Sequence, residues 1–121
     1  MAESKKILKD IADYMGYTDY LGIPSDDDPF HGMLAMHVDS ELSKLVQLGV
    51  IPAYMFTEDV TPDTSWADVL PDEHRLSMAK TYVKIGVKLA FDPPTSSALL
   101  DSLRREKDEC EWRAKVAMET P

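Results

Sequence analysis

The side chains with the most chemistry to offer are His31, His37, His74 and Cys110. Together they could in principle hold zinc, which takes nitrogen and sulfur donors in a tetrahedral set. Only His31 and His37 are near neighbours, six residues apart, and two ligands on one helix face need a spacing of three or four. No metal site is expected. Cys110 is the only cysteine, so an intrachain disulfide is excluded and nothing points to an oxidising compartment. Its acidic neighbours Glu109 and Glu111 disfavour a thiolate, so it reads as an inert thiol on the inner side of its helix.

The acidic run Ser25 to Asp28 lacks the alternating ligands and distant Glu of a calcium loop, and reads as a solvated helix entrance. No glycine-rich phosphate loop, nucleophile elbow or paired-carboxylate motif occurs. The expectation is a protein that is not an enzyme, with no catalytic residues, cofactor or metal.

With 13 Lys and Arg against 22 Asp and Glu, the formal charge is -9. Gripping DNA through its phosphates is disfavoured by that balance, whereas letting DNA pass without sticking is compatible with it. The N-terminal stretch carries charge throughout, and no run approaches the ~20 apolar residues of a membrane span. A soluble protein folded inside the cell, without a membrane partner, is expected. Its 121 residues suit one domain with one modest core.

Helical spacing organises most of the chain. Residues 1–16 form a short amphipathic helix, with Ile7, Leu8, Ile11, Tyr14 and Met15 on one face and Gly16 as its stop. Asp28 and Pro29 are a cap and a first helical residue, predicting a helix over 29–49. Its apolar face is Leu34, Val38, Leu42, Leu45 and Leu48; Ser40, Glu41 and Lys44 occupy the other. Residues 50–65 are irregular, a loop or hairpin arm, after which Thr64 or Ser65 caps one turn bearing Trp66 and Leu70.

Residues 72–91 pose a choice. VKIGVKL alternates at period two, as a strand would, but Leu76, Ala79, Val83, Val87 and Ala90 keep helical spacing over a longer window, which favours helix. Gly86 costs such a helix roughly 1 kcal/mol relative to Ala and predicts close approach of another backbone. Asp92, Pro93 and Pro94 must end it, and the next helix, 93–118, restarts with Asp92 or Thr95 as cap. Leu99, Leu100, Leu103, Cys110, Ala114 and Ala117 point inward, and the distal half is expected to project beyond the core. The fold class is therefore all-α: four main helices and a short helical turn.

Two surface features ask for partners. Lys80, Lys84 and Lys88 make a basic stripe that is either a solvated side or a contact for an acidic neighbour, including a second copy of the chain. Trp112 lies off the inner face beside Arg113 and Val116, the composition of an interface anchor. Folding back on the N-terminal helix is its alternative.

The run from Ala79 to Val116, with FDPP followed by Ser96-Ser97 and then Glu111-Trp112-Arg113, resembles the C-terminal half of the head-tail connector (neck adaptor) proteins of tailed bacteriophages. Upstream, HVDSELSKLVQLGV and SWADVL are similar to the family's second helix and Trp-bearing turn, in the same order. The resemblance implies a virion protein of the neck, assembled in the host cytoplasm. Its ring, commonly dodecameric, sits beneath the portal, extends the DNA channel and offers a platform to the next neck or tail protein. DNA would pass without sequence-specific binding. It also implies that Glu111, Trp112, Arg113, Val116 and Met118 lie near a portal or neighbour contact, with Asp92, Pro93 and Pro94 as the structural corner. A reading of another class is an acidic helical inhibitor or DNA mimic that fills a basic groove on one target.

Overall fold

The computed structural model describes residues 4–16 and 29–119. Among them the protein is all-α, with five helices, one 3-10 turn at Ala53–Met55 and no strand. The helices are α1 (Ile7–Met15), α2 (Pro29–Gln47), the single turn α3 (Trp66–Val69), α4 (Ser77–Phe91) and α5 (Ser97–Glu119).

Ile7, Leu8, Ile11 and Ala12 form the buried face of α1, and Gly16 closes it at φ 85°. On α2 the spacing of Leu34, Val38, Leu42 and Leu45 puts all four in the core. The helix ends where Gly49 turns left-handed at φ 82°. There Val50 N–H bonds Leu45 O at 2.9 Å and Gly49 N–H bonds Val46 O at 3.0 Å, pairing carbonyls the helix end would orphan. Asp28, the expected cap of α2, and the SDDD run lie outside the described residues.

The segment after α2 is irregular but anchored. Val50, Ile51 and Val60 are buried, and Asp39 of α2 accepts the Val60 N–H at 2.9 Å. Ser65 precedes α3, its N–H held by Asp68 at 2.8 Å. Lys6 and Ser65 form a short antiparallel bridge that ties α1 to α3, through Ile7 N–H to Thr64 O at 2.9 Å and Trp66 N–H to Lys5 O at 3.1 Å.

Between Phe91 and its start at Ser77, α4 is a helix throughout; residues 71–76 turn ahead of it, with Asp72 accepting the Arg75 N–H at 3.1 Å. This is the central helix, packed on α2 along one side and α5 along the other, which is why its apolar residues spread beyond one stripe. Gly86 does mark a close approach, but of the Glu41 side chain, where the sequence suggested a backbone.

The corner differs from expectation in two ways. First, α5 starts at Ser97, with Ser96 O accepting the Leu100 N–H at 2.9 Å and Ser96 Oγ the Leu99 N–H at 3.4 Å, so Ser96 caps it in place of Asp92 or Thr95. Second, α5 does not project: Cys110 Sγ lies 3.9 Å from Met78 Sδ, and Lys107 Nζ sits 4.7 Å from the centre of the Tyr82 ring, so α5 runs back antiparallel along α4. Reversing the chain takes residues 92–96, a normal length for two antiparallel helices and more than an immediate restart allows. Cys110 and Ala114 are buried in the distal half, where small side chains let two helices close up, whereas Leu99 near the corner is 51% exposed and Leu100 and Leu103 are half-buried.

Candidate functional site

Three polar clusters fix how the helices present their outer faces. Glu41 of α2 is only 4% exposed, although its position in the sequence placed it on the polar face. Lys44 Nζ bonds its Oε2 at 2.9 Å, and Lys107 Nζ of α5 stands 2.7 Å from Oε1 as an ion pair at an angle outside that of a hydrogen bond. The same lysine covers Tyr82 of α4. Burial, then the nearby Glu41, Glu111 and Asp108 carboxylates, push the Tyr82 phenol up to about 12. One carboxylate thus joins α2 to α5 across α4.

Asp10 is the second centre. Its Oδ2 accepts the Trp66 indole N–H at 2.8 Å and pairs with Lys84 Nζ at 3.1 Å, linking α1, α3 and α4. In the third, Ser4 Oγ donates to Glu73 at 2.7 Å and Lys80 Nζ pairs with Glu73 at 3.2 Å. The Ser4 hydrogen bond, then Lys80, hold the Glu73 carboxyl below its usual range against the effect of burial. Two members of the lysine stripe are therefore engaged within their own chain, and Lys88 alone of the three pairs with no carboxylate among the described residues.

Against this scaffold Trp112 is 65% exposed. With Val116, Ala117 and Arg113 of α5, and Arg75, Ser77 and Met78 around the start of α4, it lines a shallow depression. The indole stands over that depression, in place of the expected alternative of folding back on α1. Arg113 is paired with Glu109 at 3.0 Å and Arg75 with Asp72 at 4.0 Å, both exposed pairs that a competing carboxylate can replace at small cost. Of the other expected interface residues, Glu111 is half-buried towards Tyr82 and Met118 packs partly against the core, so neither extends the Trp112 surface far.

A second depression lies on α2 and the segment after it, lined by Gly32, Ala35, Met36, Asp39, Asp59 and Val60. Met36 is exposed there, and Met33, outside its lining, is exposed on the same helix. Burial, then Asp59, raise the Asp39 carboxyl despite the bond from Val60 N–H. The sequence reading passed over this surface because methionines at these positions look like a frayed edge of the apolar face.

Cys110 is buried, its thiol pushed up first by burial and then by Glu106 and Glu109. Among the described residues no three His, Cys, Asp or Glu side chains gather as a metal-binding set. His37 packs edge-on to Phe91 at 5.9 Å between ring centres, and His74 is exposed; the His31 side chain lies outside the described residues. No helix among the described residues is long and apolar enough to cross a membrane.

Comparison with curated proteins and with solved structures found no significant match. The sequence model of one family, described as phage connector protein, matches residues 18–121. That span takes in α2 to α5, the Pro93-Pro94 corner and the Trp112 surface, and the chain belongs to the phage connector protein family.

Proposed function

We propose that the protein is the head-tail connector of a tailed phage: copies of it close a ring under the portal, lengthen the DNA channel and give the next neck or tail protein its platform. Membership of the phage connector family is the observation that carries this reading. An exposed indole over a depression flanked by two arginines, on a bundle with its own complete core, supports it as a surface built for another protein. The work is mechanical. Repeated contacts between unlike surfaces close a ring, and a net charge of -9 leaves no deep electrostatic trap for DNA sliding past.

Filled heads made without this protein provide the test. Adding the purified chain should leave it bound at the portal vertex and restore joining of tails. Heads that gain tails equally well without it would overturn the proposal.

A further inference from the structure

Charge is divided unevenly along the chain. Residues 10–74 hold fourteen of its 22 acidic side chains and a single cation, Lys44, whereas the remainder holds twelve cations and eight acids. The fold turns that division into two faces. Glu41 of α2 is met by Lys107 of α5, and Asp10 and Glu73 by Lys84 and Lys80 of α4, so these carboxylates are answered across the bundle. Asp39 stands two residues from Glu41, about 200° around α2, and so points away from α4 and α5. It accepts the Val60 N–H, and beside it Glu58 and Asp59 are exposed. None of these three carboxylates pairs with a cation among the described residues. We propose that this face, made by α2 and residues 57–60, lines the DNA channel and meets the sliding duplex.

This rests on the connector reading and names the face that reading leaves open. Every copy in a ring turns one face to the DNA, and each cation on that face recurs once per copy, so phosphate contacts add up around the ring and grip the duplex. The α4 and α5 side has Lys88, Arg105 and Lys115 without a carboxylate partner among the described residues, and would grip DNA in that way. The α2 side turns carboxylates to the phosphates and repels them, because Lys44, the one cation of that helix, is drawn round to Glu41. Repulsion is already felt in the free chain, where Asp59 adds to burial in raising the Asp39 carboxyl. The wall is also fixed in place. Val60 is buried with its N–H held by Asp39, so Glu58 and Asp59 stand at set positions, and Lys6 on the Asp63 carbonyl at 3.1 Å marks the edge of the face.

The test uses full chain carrying Thr57→Cys or Arg105→Cys, each at an exposed position and labelled with an aryl azide, loaded on heads that lack the native protein. Chain with Cys110 alone, treated in the same way, gives the background. Illumination while the heads release their DNA should cross-link position 57 to DNA and leave position 105 at background. Glu58→Lys/Asp59→Lys should slow release roughly tenfold at low salt, the effect fading towards about 0.5 M salt, because four units of charge per copy then draw on the phosphates. Asp101→Lys/Asp108→Lys, an equal change on exposed residues of α5, should leave the rate unaltered. Cross-linking of DNA from position 105 in place of 57 overturns the proposal, as does position 57 joining only to protein, or equal slowing by both reversals. In each of those outcomes the chain is on the heads and the connector reading stands. A chain that does not stay on heads fails that reading, and this proposal with it.

Discussion

The carboxylate of Glu41 fills the space where a Cβ on Gly86 would stand. Glycine in the middle of α4 costs that helix about 1 kcal/mol relative to alanine, and the vacancy lets a buried carboxylate reach across α4 to Lys107. Gly86→Ala should therefore lower stability by about 1–3 kcal/mol, since the methyl displaces Glu41 from its lysines and the helix gain is smaller than that loss. In a Glu41→Ala background the same change should be neutral or stabilising. Urea unfolding of the four members of this cycle measures the coupling.

Lys107 answers the charge of that carboxylate from α5, beside Lys44 from its own helix. Removing one member of a fully buried pair costs about 3–5 kcal/mol, but Lys107 keeps 18% of its side chain exposed and Lys44 remains on the other oxygen. Lys107→Met is accordingly expected to cost about 1–3 kcal/mol. Hydrogen exchange should show the protection of α5 falling further than that of α1, because the clamp joins α5 to α2 and leaves α1 untouched.

The two tryptophans should separate folding from assembly. Trp66 is fully buried with its indole N–H on Asp10, so Trp66→Ala should cost about 3–5 kcal/mol. Trp112→Ala removes an exposed ring and should leave the melting temperature within a degree or two, a change of about 0.5 kcal/mol or less. Its effect should appear in assembly on heads. An equal loss of melting temperature in both variants would show Trp112 to be a core residue.

How much of this was legible in the chain depended on the range of the signal. Gly16, Gly49 and the Ser65 start were readable because caps act over a few residues, and the faces of α1 and α2 because periodicity does. Glu41 and Lys107 meet only through tertiary packing, so no local pattern pairs them; Gly86 was the one pointer, and it indicated a close approach that was read as another backbone and is a side chain. The inward side of α5 at Cys110 and Ala114 was legible, but its return along α4 was not, because the polar run Arg104 to Glu109 reads as too charged to be covered, while the two small side chains after Lys107 allow close helix packing. The exposure of Trp112 was legible, since it falls off the face that Cys110 and Ala114 define.

Glu73 gives the acid limb of stability a definite sign. Its pKa is lowered from 4.5 by Ser4 and Lys80, so its contribution is fully present above that value and is lost as pH falls through the lower folded pKa. Glu73→Gln should reduce stability at neutral pH and flatten the decline between about pH 5 and pH 3. Asp39 acts in the opposite sense: with its pKa raised, folding favours the protonated form and the benefit fades as pH rises. Asp39→Asn should therefore be neutral or slightly stabilising near pH 7, and urea midpoints across that range distinguish the two.

The Pro93-Pro94 corner sets where α5 begins its return along α4, and proline's fixed φ limits the ways the five connecting residues can turn. Replacing both with alanine frees the unfolded chain, at a cost of roughly 0.4–1 kcal/mol for each. The hairpin itself should persist, because Cys110, Ala114 and the Lys107 clamp hold α5 far from the corner. Leu99 and the half-buried Leu100 and Leu103, beside the corner and lightly covered, are the part that loosens. If placement of α5 matters to its neighbours, joining of heads to tails should fall in Pro93→Ala/Pro94→Ala by more than the change in melting temperature predicts. Normal joining at an unchanged rate would show that the corner serves folding alone.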